Sequence, residues 1–374
     1  MSAIYTNLLV LAFFSLVVGY SLVHLILKFA RKYDILDRPH LYKTENGRSP
    51  VPYGIGFAII ATLFLVAPVL PYLFEISPTL EKKLYIVLIL AGIIWLISAL
   101  DDLDTIGKSR LSVPPLARLI MQICVGLVIG ITSIKISYIS NFFGGILRLD
   151  DYFFQIEILG KIFTVYYIPL LLTVFWYVLV FNSINFSDGI PGLASGFSLI
   201  SFIILGFLAL KLYLTDTTEA AVENSQFILM FVMMLIPITA LVTYHDIHRT
   251  GIMGDSGTII LAFFIATLAI VAGGKIATAM SVIGIYLIDL IYVVGIRIMQ
   301  GKNPMKWDQT HHLHFRLLEL GFTHANIRNI IYILAASFWV AAIFLDTKGK
   351  VILFIFIAII TLFMTKILSI VKKK

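Results

Sequence analysis

Three aspartates within four residues, Asp101, Asp102 and Asp104 of the stretch DDLDTIG, directly follow an apolar run. Each carboxylate in or beside hydrocarbon costs roughly 2.5–3.5 kcal/mol on insertion scales, and adjacent like charges raise one another's pKa. The cluster therefore needs a compensating partner, and a hard divalent cation is the natural one. On a helix continued through this stretch, Asp101 and Asp104 share a face at i, i+3 while Asp102 points about 100° away. One carboxylate can then hold metal while another faces a substrate. The plainer alternative is a solvated helix end with Lys108 and Arg110 as partners.

Four further stretches carry chemistry. In FNSINFSDGIPGLASG, residues 181–196, Asn182, Asn185 and Asp188 recur at threes. A helix end would present amide, amide and carboxylate in one line, suited to the hydroxyls and base edge of a sugar nucleotide. Gly189 and Gly192 alone would read as a helix C-cap and turn. In GIMGDSGT, residues 251–258, Asp255 stands between glycines just before an apolar run. Gly254 and Gly257 permit close backbone approach to a phosphate at a helix start; the alternative is that Asp255 is an ordinary N-cap. The stretch 302–324 groups His311, His312, His314 and Arg316 without cysteine or zinc-type spacing, which favours contact with a diphosphate or sugar. Asp289 of YLIDLIYVVGIR lies about 12 Å along a helix from Arg297. A buried structural hydrogen bond and a part in an active site are both open for it.

The elements that must position these residues are apolar helices. Of 374 residues, 60% are hydrophobic and 13% charged. Apolar stretches near the length that spans a bilayer fall at 4–28, 54–74, 83–100, 116–134, 167–182, 192–211, 226–244, 256–273, 275–297, 329–346 and 350–371. These amount to about eleven spans. The expected fold is an all-α polytopic integral membrane protein, a single transmembrane domain over residues 1–374 with no large soluble domain. The first stretch lacks a basic n-region and a small-residue cleavage site, so it reads as a retained helix. Cys124, the single cysteine, lies in an apolar run and gives neither a disulfide framework nor a thiolate metal site.

Basic residues sort the loops. Arg31, Lys32, Arg38, Lys43 and Arg48, then Lys302, Lys306, Arg316 and Arg328, and finally Lys372, Lys373 and Lys374 fall on one side of such a bundle. Loop 212–225 on the other side carries Asp216, Glu219 and Glu223. The N-terminus is therefore expected outside and the C-terminus in the cytoplasm, with all the polar stretches above on the cytoplasmic face. A net charge of +7 suits anionic lipid or an anionic substrate, and no nucleic-acid module is present. Residues 135–166 alternate apolar and polar, with Gly144-Gly145 and Asp150-Asp151 at turns, which predicts a small β-hairpin on the outer membrane surface, read as a structural cap.

In this order, DDLD at 101–104, NSINFSDG at 182–189, MGDSGT at 253–258 and HHLHFRLLELGF from His311 resemble the polyprenyl-phosphate N-acetylhexosamine-1-phosphate transferases of glycosyltransferase family 4. That family includes the enzymes initiating teichoic acid, enterobacterial common antigen and O-antigen synthesis, and the phospho-MurNAc-pentapeptide translocase. The resemblance covers nearly the whole chain. It implies attack by a polyprenyl phosphate, such as undecaprenyl phosphate, on the β-phosphate of a UDP-sugar, with UDP-GlcNAc the default donor, UMP released and Mg²⁺ required, Mn²⁺ being a substitute. It also implies a cell inner or plasma membrane location, and homodimers occur among relatives. Carried over by motif, Asp101 and Asp102 match the paired aspartates, one positioning the lipid phosphate and one near the metal, and Asp255 matches the metal-binding aspartate. Asn185 and Asp188 match the nucleotide-side polar residues, with Asn182 on the same helix line, and His312 and His314 match two of the loop histidines; by their own chemistry Lys43, Arg48 and Arg316 could add positive charge. Three departures stand out: Pro191 where an aspartate is usual, Gly54-Ile55-Gly56 for a glycine pair with only Lys43 aligned before it, and Phe315 where a third histidine is frequent. A secondary transporter is the other class, but it predicts ionisable groups at mid-span, and here only Asp289 is so placed.

Overall fold

The computed structural model describes residues 2–37, 49–108, 113–140, 145–158, 160–272, 276–303, 310–345 and 347–371. In chain order it contains α1 (Ser2–Lys32), β1 (Leu36–Asp37), β2 (Val51–Pro52), α2 (Phe57–Val66), α3 (Leu70–Leu73), α4 (Pro78–Thr105), α5 (Pro115–Gly130), β3 (Tyr138–Ser140), β4 (Ile146–Arg148), β5 (Phe153–Ile158) and β6 (Lys161–Tyr166). The second half is helical: α6 (Tyr167–Ser187), α7 (Leu193–Thr215), α8 (Glu219–Ile247), α9 (Asp255–Val271), α10 (Ile276–Met299), α11 (Leu313–Glu319), α12 (His324–Phe344) and α13 (Thr347–Val371). Each apolar stretch read from the sequence is mainly helical over its described residues. Stretch 54–74 is broken into α2, a 3-10 turn and α3, where Pro68 and Pro71 interrupt the hydrogen-bond ladder.

Among the described residues, five helices are long and apolar enough to cross a membrane: α1 from Ile4, α4, α6, α7 and α8. Their outward faces are greasy. Phe13, Leu25, Leu171 and Phe175 are each more than 60% exposed, a surface that water would not tolerate and acyl chains would. The chain is therefore a multi-pass membrane protein.

Contacts divide the chain into two compact units, residues 1–114 with 190–262, and residues 115–189 with 263–374. In the first, α8 packs against α7, α1, α2 and α4, and Phe197, Phe202, Phe231, Ile59 and Leu63 fill the interior. In the second, α5 packs on α6, and α10 on α6, α12 and α13. Trp176 Nε1 donates to the Ala266 carbonyl at 3.1 Å and the Tyr177 hydroxyl meets Thr267 Oγ1 at 2.6 Å, which satisfies polar groups of α6 against the second half of α9.

Among the described residues three small antiparallel sheets occur: β1–β2, β3–β4 and β5–β6. The hairpin expected at 135–166 is present as two. Asp150 and Asp151 lie in the turn between them, and the tip of the second is at Gly160, whose φ of +74° suits glycine. Gly144 lies outside the described residues.

Candidate functional site

The first unit builds its polar cluster around α4. Ser77 caps this helix, its hydroxyl accepting from Leu80 N–H at 3.1 Å, with Pro78 and Glu81 in the first turn. The helix then runs through all three aspartates and stops at Gly107, which has a φ of +71°. There Gly107 N–H bonds Asp104 O at 2.9 Å and Lys108 N–H bonds Leu103 O at 2.9 Å. The DDLD stretch is thus helical, and Asp101 and Asp102 diverge around it. It is not a solvated end: Asp101 is 6% exposed and Asp102 1%.

What compensates Asp102 in this structure is a set of neutral donors. Its Oδ1 accepts from the Tyr53 hydroxyl at 2.9 Å and from Asp255 N–H at 2.8 Å, and its Oδ2 accepts from Ser256 N–H at 3.0 Å. Asp102 therefore caps the N-terminus of α9 from a different helix, satisfying two of its orphan amides and meeting the positive end of its dipole. Asp255 is the first residue of α9 and is partly exposed, with its carboxylate close enough to Asp102 to act on it electrostatically. Asp101 Oδ1 accepts from Val113 N–H at 3.3 Å.

The glycines serve this closure. A Cβ on Gly56 would stand 2.6 Å from Gly257 Cα and 2.6 Å from Met253 O, and one on Gly254 would stand 2.9 Å from the Tyr53 ring and 3.0 Å from the Asp102 carboxylate. Backbone meets backbone here: Gly54 N–H and Ile55 N–H donate to Ile252 O at 2.9 and 3.0 Å, and Gly56 N–H to Met253 O at 3.0 Å. The bare Cα of Gly257, at the start of α9, packs against Met253 and Gly56.

A second carboxylate of this unit, Asp246 at the end of α8, does the same for α7. Its Oδ2 accepts from Gly192 N–H at 2.8 Å and from Ser195 Oγ at 3.4 Å. Sequence reasoning passed over both Asp246 and Tyr53. Only the partner, 49 or 54 residues away in the chain, reveals the part each plays.

The second unit gathers the other motifs. Asn182 and Asn185 lie on the last turns of α6 and Asp188 is its C-cap residue. Asn182 Nδ2 donates to Gln122 Oε1 and to Val178 O, both at 2.7 Å, tying α6 to α5. Asn185 Oδ1, by contrast, is buried with no partner among the described residues. Asp289 is buried on α10. It accepts from His312 Nδ1 at 2.7 Å and from Leu313 N–H at 2.9 Å, so it pins the start of α11. This buried hydrogen bond orients a histidine of the loop.

His312 and His314 stack at 5.7 Å with planes 14° apart, and Phe186 contacts His312 at 5.4 Å. A Cβ on Gly189 would run into the His314 imidazole and stand 2.7 Å from the Phe315 ring. The SDG turn and the histidine loop are therefore neighbours. Neither ring nitrogen of His314 has a hydrogen-bond partner among the described residues. Burial pushes its pKa well below the ordinary imidazole value, with nearby His312 a lesser cause, so His314 is neutral. Arg316 is also buried, its Nη1 donating to the Tyr292 hydroxyl at 3.3 Å and its guanidinium lying over the Tyr292 ring at 5.1 Å. Lys43 falls outside the described residues.

A family model described as Glycosyl transferase family 4 matches residues 84–273, which enclose Asp101, Asp102, Asn185, Asp188, Asp246 and Asp255. The probable undecaprenyl-phosphate N-acetylglucosaminyl 1-phosphate transferase of Bacillus subtilis is 26% identical over 291 residues, covering 76% of this chain and 72% of the relative. The undecaprenyl-phosphate alpha-N-acetylglucosaminyl 1-phosphate transferase of Escherichia coli K12 is 26% identical over 322 residues, covering 83% and 76%. A decaprenyl-phosphate N-acetylglucosaminephosphotransferase of Mycobacterium leprae is 28% identical over 207 residues, covering 47% and 51%. These matches leave the transporter alternative without support. The chain belongs to glycosyl transferase family 4.

Proposed function

We propose that this protein transfers a sugar-1-phosphate, by default GlcNAc-1-phosphate, from a UDP-sugar to a polyprenyl phosphate such as undecaprenyl phosphate, releasing UMP and initiating a cell-envelope glycan. The relatives named above act on undecaprenyl or decaprenyl phosphate, and the family match supports the same reaction class here. The observation that carries the reading is the clamp of Asp102 on the first turn of α9, which fixes where the Asp255 carboxylate stands.

The donor set suits Mg²⁺. It consists of hard carboxylate oxygens, and among the described residues no three acidic, histidine or cysteine groups converge to cage an ion. That is what a cation held by one or two carboxylates, waters and substrate phosphates needs. Asp255 with Asp101 or Asp102 would hold it, Mn²⁺ being the substitute, and Asp102, which receives three donors, also positions the start of α9. When bound, the cation neutralises the diphosphate as two anions approach. A phosphomonoester has its second pKa near ~6, so the lipid phosphate is already the nucleophile and positioning suffices. In the second unit, Asn185, Asp188 and the His312–His314 stack take the nucleotide-sugar side, with Asp289 orienting His312 and Arg316 held on Tyr292.

The excess of Lys and Arg on one set of loops supports about eleven spans with the N-terminus outside, the C-terminus in the cytoplasm and the chemistry at the cytoplasmic face of a bacterial inner or plasma membrane. The test is purified protein in nanodiscs with Mg²⁺, polyprenyl phosphate and a panel of UDP-sugars. The expected products are UMP and a lipid whose mass shows a diphosphate-linked N-acetylhexosamine. Release of UDP with a monophosphate-linked sugar, or no lipid product from any donor, contradicts the reading.

A further inference from the structure

The first unit carries a second group of imidazoles, at the ends of α1 and α8, that the transferase reaction leaves unused. The two helices pack on one another within that unit. Across their seam the His24 and His245 rings meet edge to face at 5.9 Å and 84°. Each helix continues the row: Tyr20 lies 4.1 Å from His24, and Tyr244 lies 5.5 Å from His245 and 4.3 Å from His248. Tyr20, His24, Tyr244 and His248 are exposed and His245 is half-buried.

The rings are held by one nitrogen each. His24 Nδ1 bonds Tyr20 O at 2.9 Å and His248 Nδ1 bonds Tyr244 O at 2.7 Å, in both cases one turn back. A carbonyl oxygen only accepts, so Nδ1 is the donor in these two rings. His245 Nδ1 meets Thr250 Oγ1 at 2.7 Å. Nε2, on the other side of each ring, has no hydrogen bond among the described residues. Protonation turns it into a charged donor.

The surroundings are positive. Lys28 follows His24 by one turn on the same face of α1, and Arg31 is close enough to His245 to act on it electrostatically. Neither has an ion pair among the described residues. Asp246, between the two histidines of α8, turns inward to Gly192 N–H. A helix dipole accounts for basic groups in a last turn, but His24 stands two turns before the end of α1 at Lys32. The same part of α1 exposes Leu25 and Phe29, and tyrosines at the ends of apolar spans sit at headgroup level.

We propose that this seam binds the phosphate of an anionic phospholipid, with His24, His245 and His248 offering Nε2, Lys28 and Arg31 supplying fixed positive charge, and Leu25 and Phe29 meeting the acyl chains. The inference is independent of the transferase reading.

The test uses full-length protein in mixed micelles of phosphatidylcholine and phosphatidylglycerol, with bound lipid counted by native mass spectrometry. Phosphatidylglycerol should be retained preferentially, and more so at pH 6 than at pH 7.5, because an anion favours the charged ring and imidazole ordinarily titrates near ~6.5. His24→Gln, His245→Gln and His248→Gln together should lower retention several-fold and remove the pH dependence. Lys28→Gln with Arg31→Gln, at two exposed positions, should lower retention and keep the pH dependence, whereas Lys302→Gln on another loop should leave both unchanged. Gel filtration confirms that each variant stays folded. Equal retention of the two lipids, or retention like the parent's in both multiple variants, would overturn the proposal. Displacement of the lipid by millimolar inorganic phosphate would overturn it in favour of a soluble anion, and a dimer mass that the histidine variant loses would overturn it in favour of a second copy on this face.

Discussion

Two carboxylates, one in each unit, are built into the fold in the same manner and yet are set for different work. Asp102 reaches from α4 to the start of α9, and Asp289 reaches from α10 to the start of α11; each accepts the first amides of a helix that is not its own. The partners differ. Asp102 is held by backbone N–H groups and a tyrosine hydroxyl, none of which titrates near neutrality, and the acid it places is Asp255. Asp289 is held by a backbone N–H and an imidazole, and what it places is the paired rings of His312 and His314. One clamp presents negative charge, suited to a cation and phosphate. The other presents aromatic nitrogen, suited to the base and sugar of a nucleotide. A buried acid in a membrane protein need not be the reacting group; its larger effect can be to fix where the next side chain stands.

The comparison breaks most severely at Asp102. Asp102→Ala orphans two buried amides and a tyrosine hydroxyl, at about 1–3 kcal/mol for each group left without a partner. The expected loss in thermal stability in detergent is therefore larger than for any other single change proposed here. If Asp102→Ala unfolds no earlier than the parent, the clamp is not a stabilising element. Asp289→Asn is milder. It keeps an acceptor for Leu313 N–H but opposes the proton on His312 Nδ1, at about 1–2 kcal/mol, and it should raise KM for the UDP-sugar with little change for the lipid phosphate. Equal effects on both substrates would remove the assignment of this clamp to the nucleotide side. Tyr53→Phe removes one hydrogen bond from Asp102, for about 1 kcal/mol, and an unchanged melting point would show that the backbone amides suffice.

His314 gives the smallest and most specific effect. The ordinary imidazole titrates at 6.5 and the buried one well below it, so on acidification the unfolded chain takes up a proton that the folded chain refuses. Stability from this group is full above pH 6.5 and is lost as pH falls from there toward the folded value. Thermal melts between pH 7.5 and 5 should show this slope, and His314→Gln should flatten it. An identical slope in the variant would assign the acid sensitivity elsewhere.

Much of this architecture was legible in the chain. Apolar length placed the helices, and the helix continued through the aspartates, the condition for Asp101 and Asp104 to share a face, is present as α4. The hairpin region showed in its alternation, but its division into two did not, because the tip at Gly160 lacks the Asn-Gly or Asp-Gly pair that marks such turns. What stayed hidden was pairing across long separations. Nothing local to Asp102 points to Tyr53 or to the amides of Asp255 and Ser256, and Asp246 reads as an ordinary charged helix end until Gly192 is seen against it. The glycines show the same gap: Gly257 signals close approach, but its packing against Met253 and Gly56 is seen only in the fold.

The most direct measurement is Mg²⁺-dependent UMP release by Asp255→Asn, compared with the parent protein under saturating polyprenyl phosphate and UDP-GlcNAc. The substitution keeps the shape of the side chain and leaves the Asp102 clamp on the backbone amides untouched. The account predicts a folded protein with the parent's melting temperature and turnover reduced by about 10²–10³-fold or more. Turnover near that of the parent, with unaltered Mg²⁺ dependence, would show that the acid positioned by Asp102 is not where the cation and the phosphates meet.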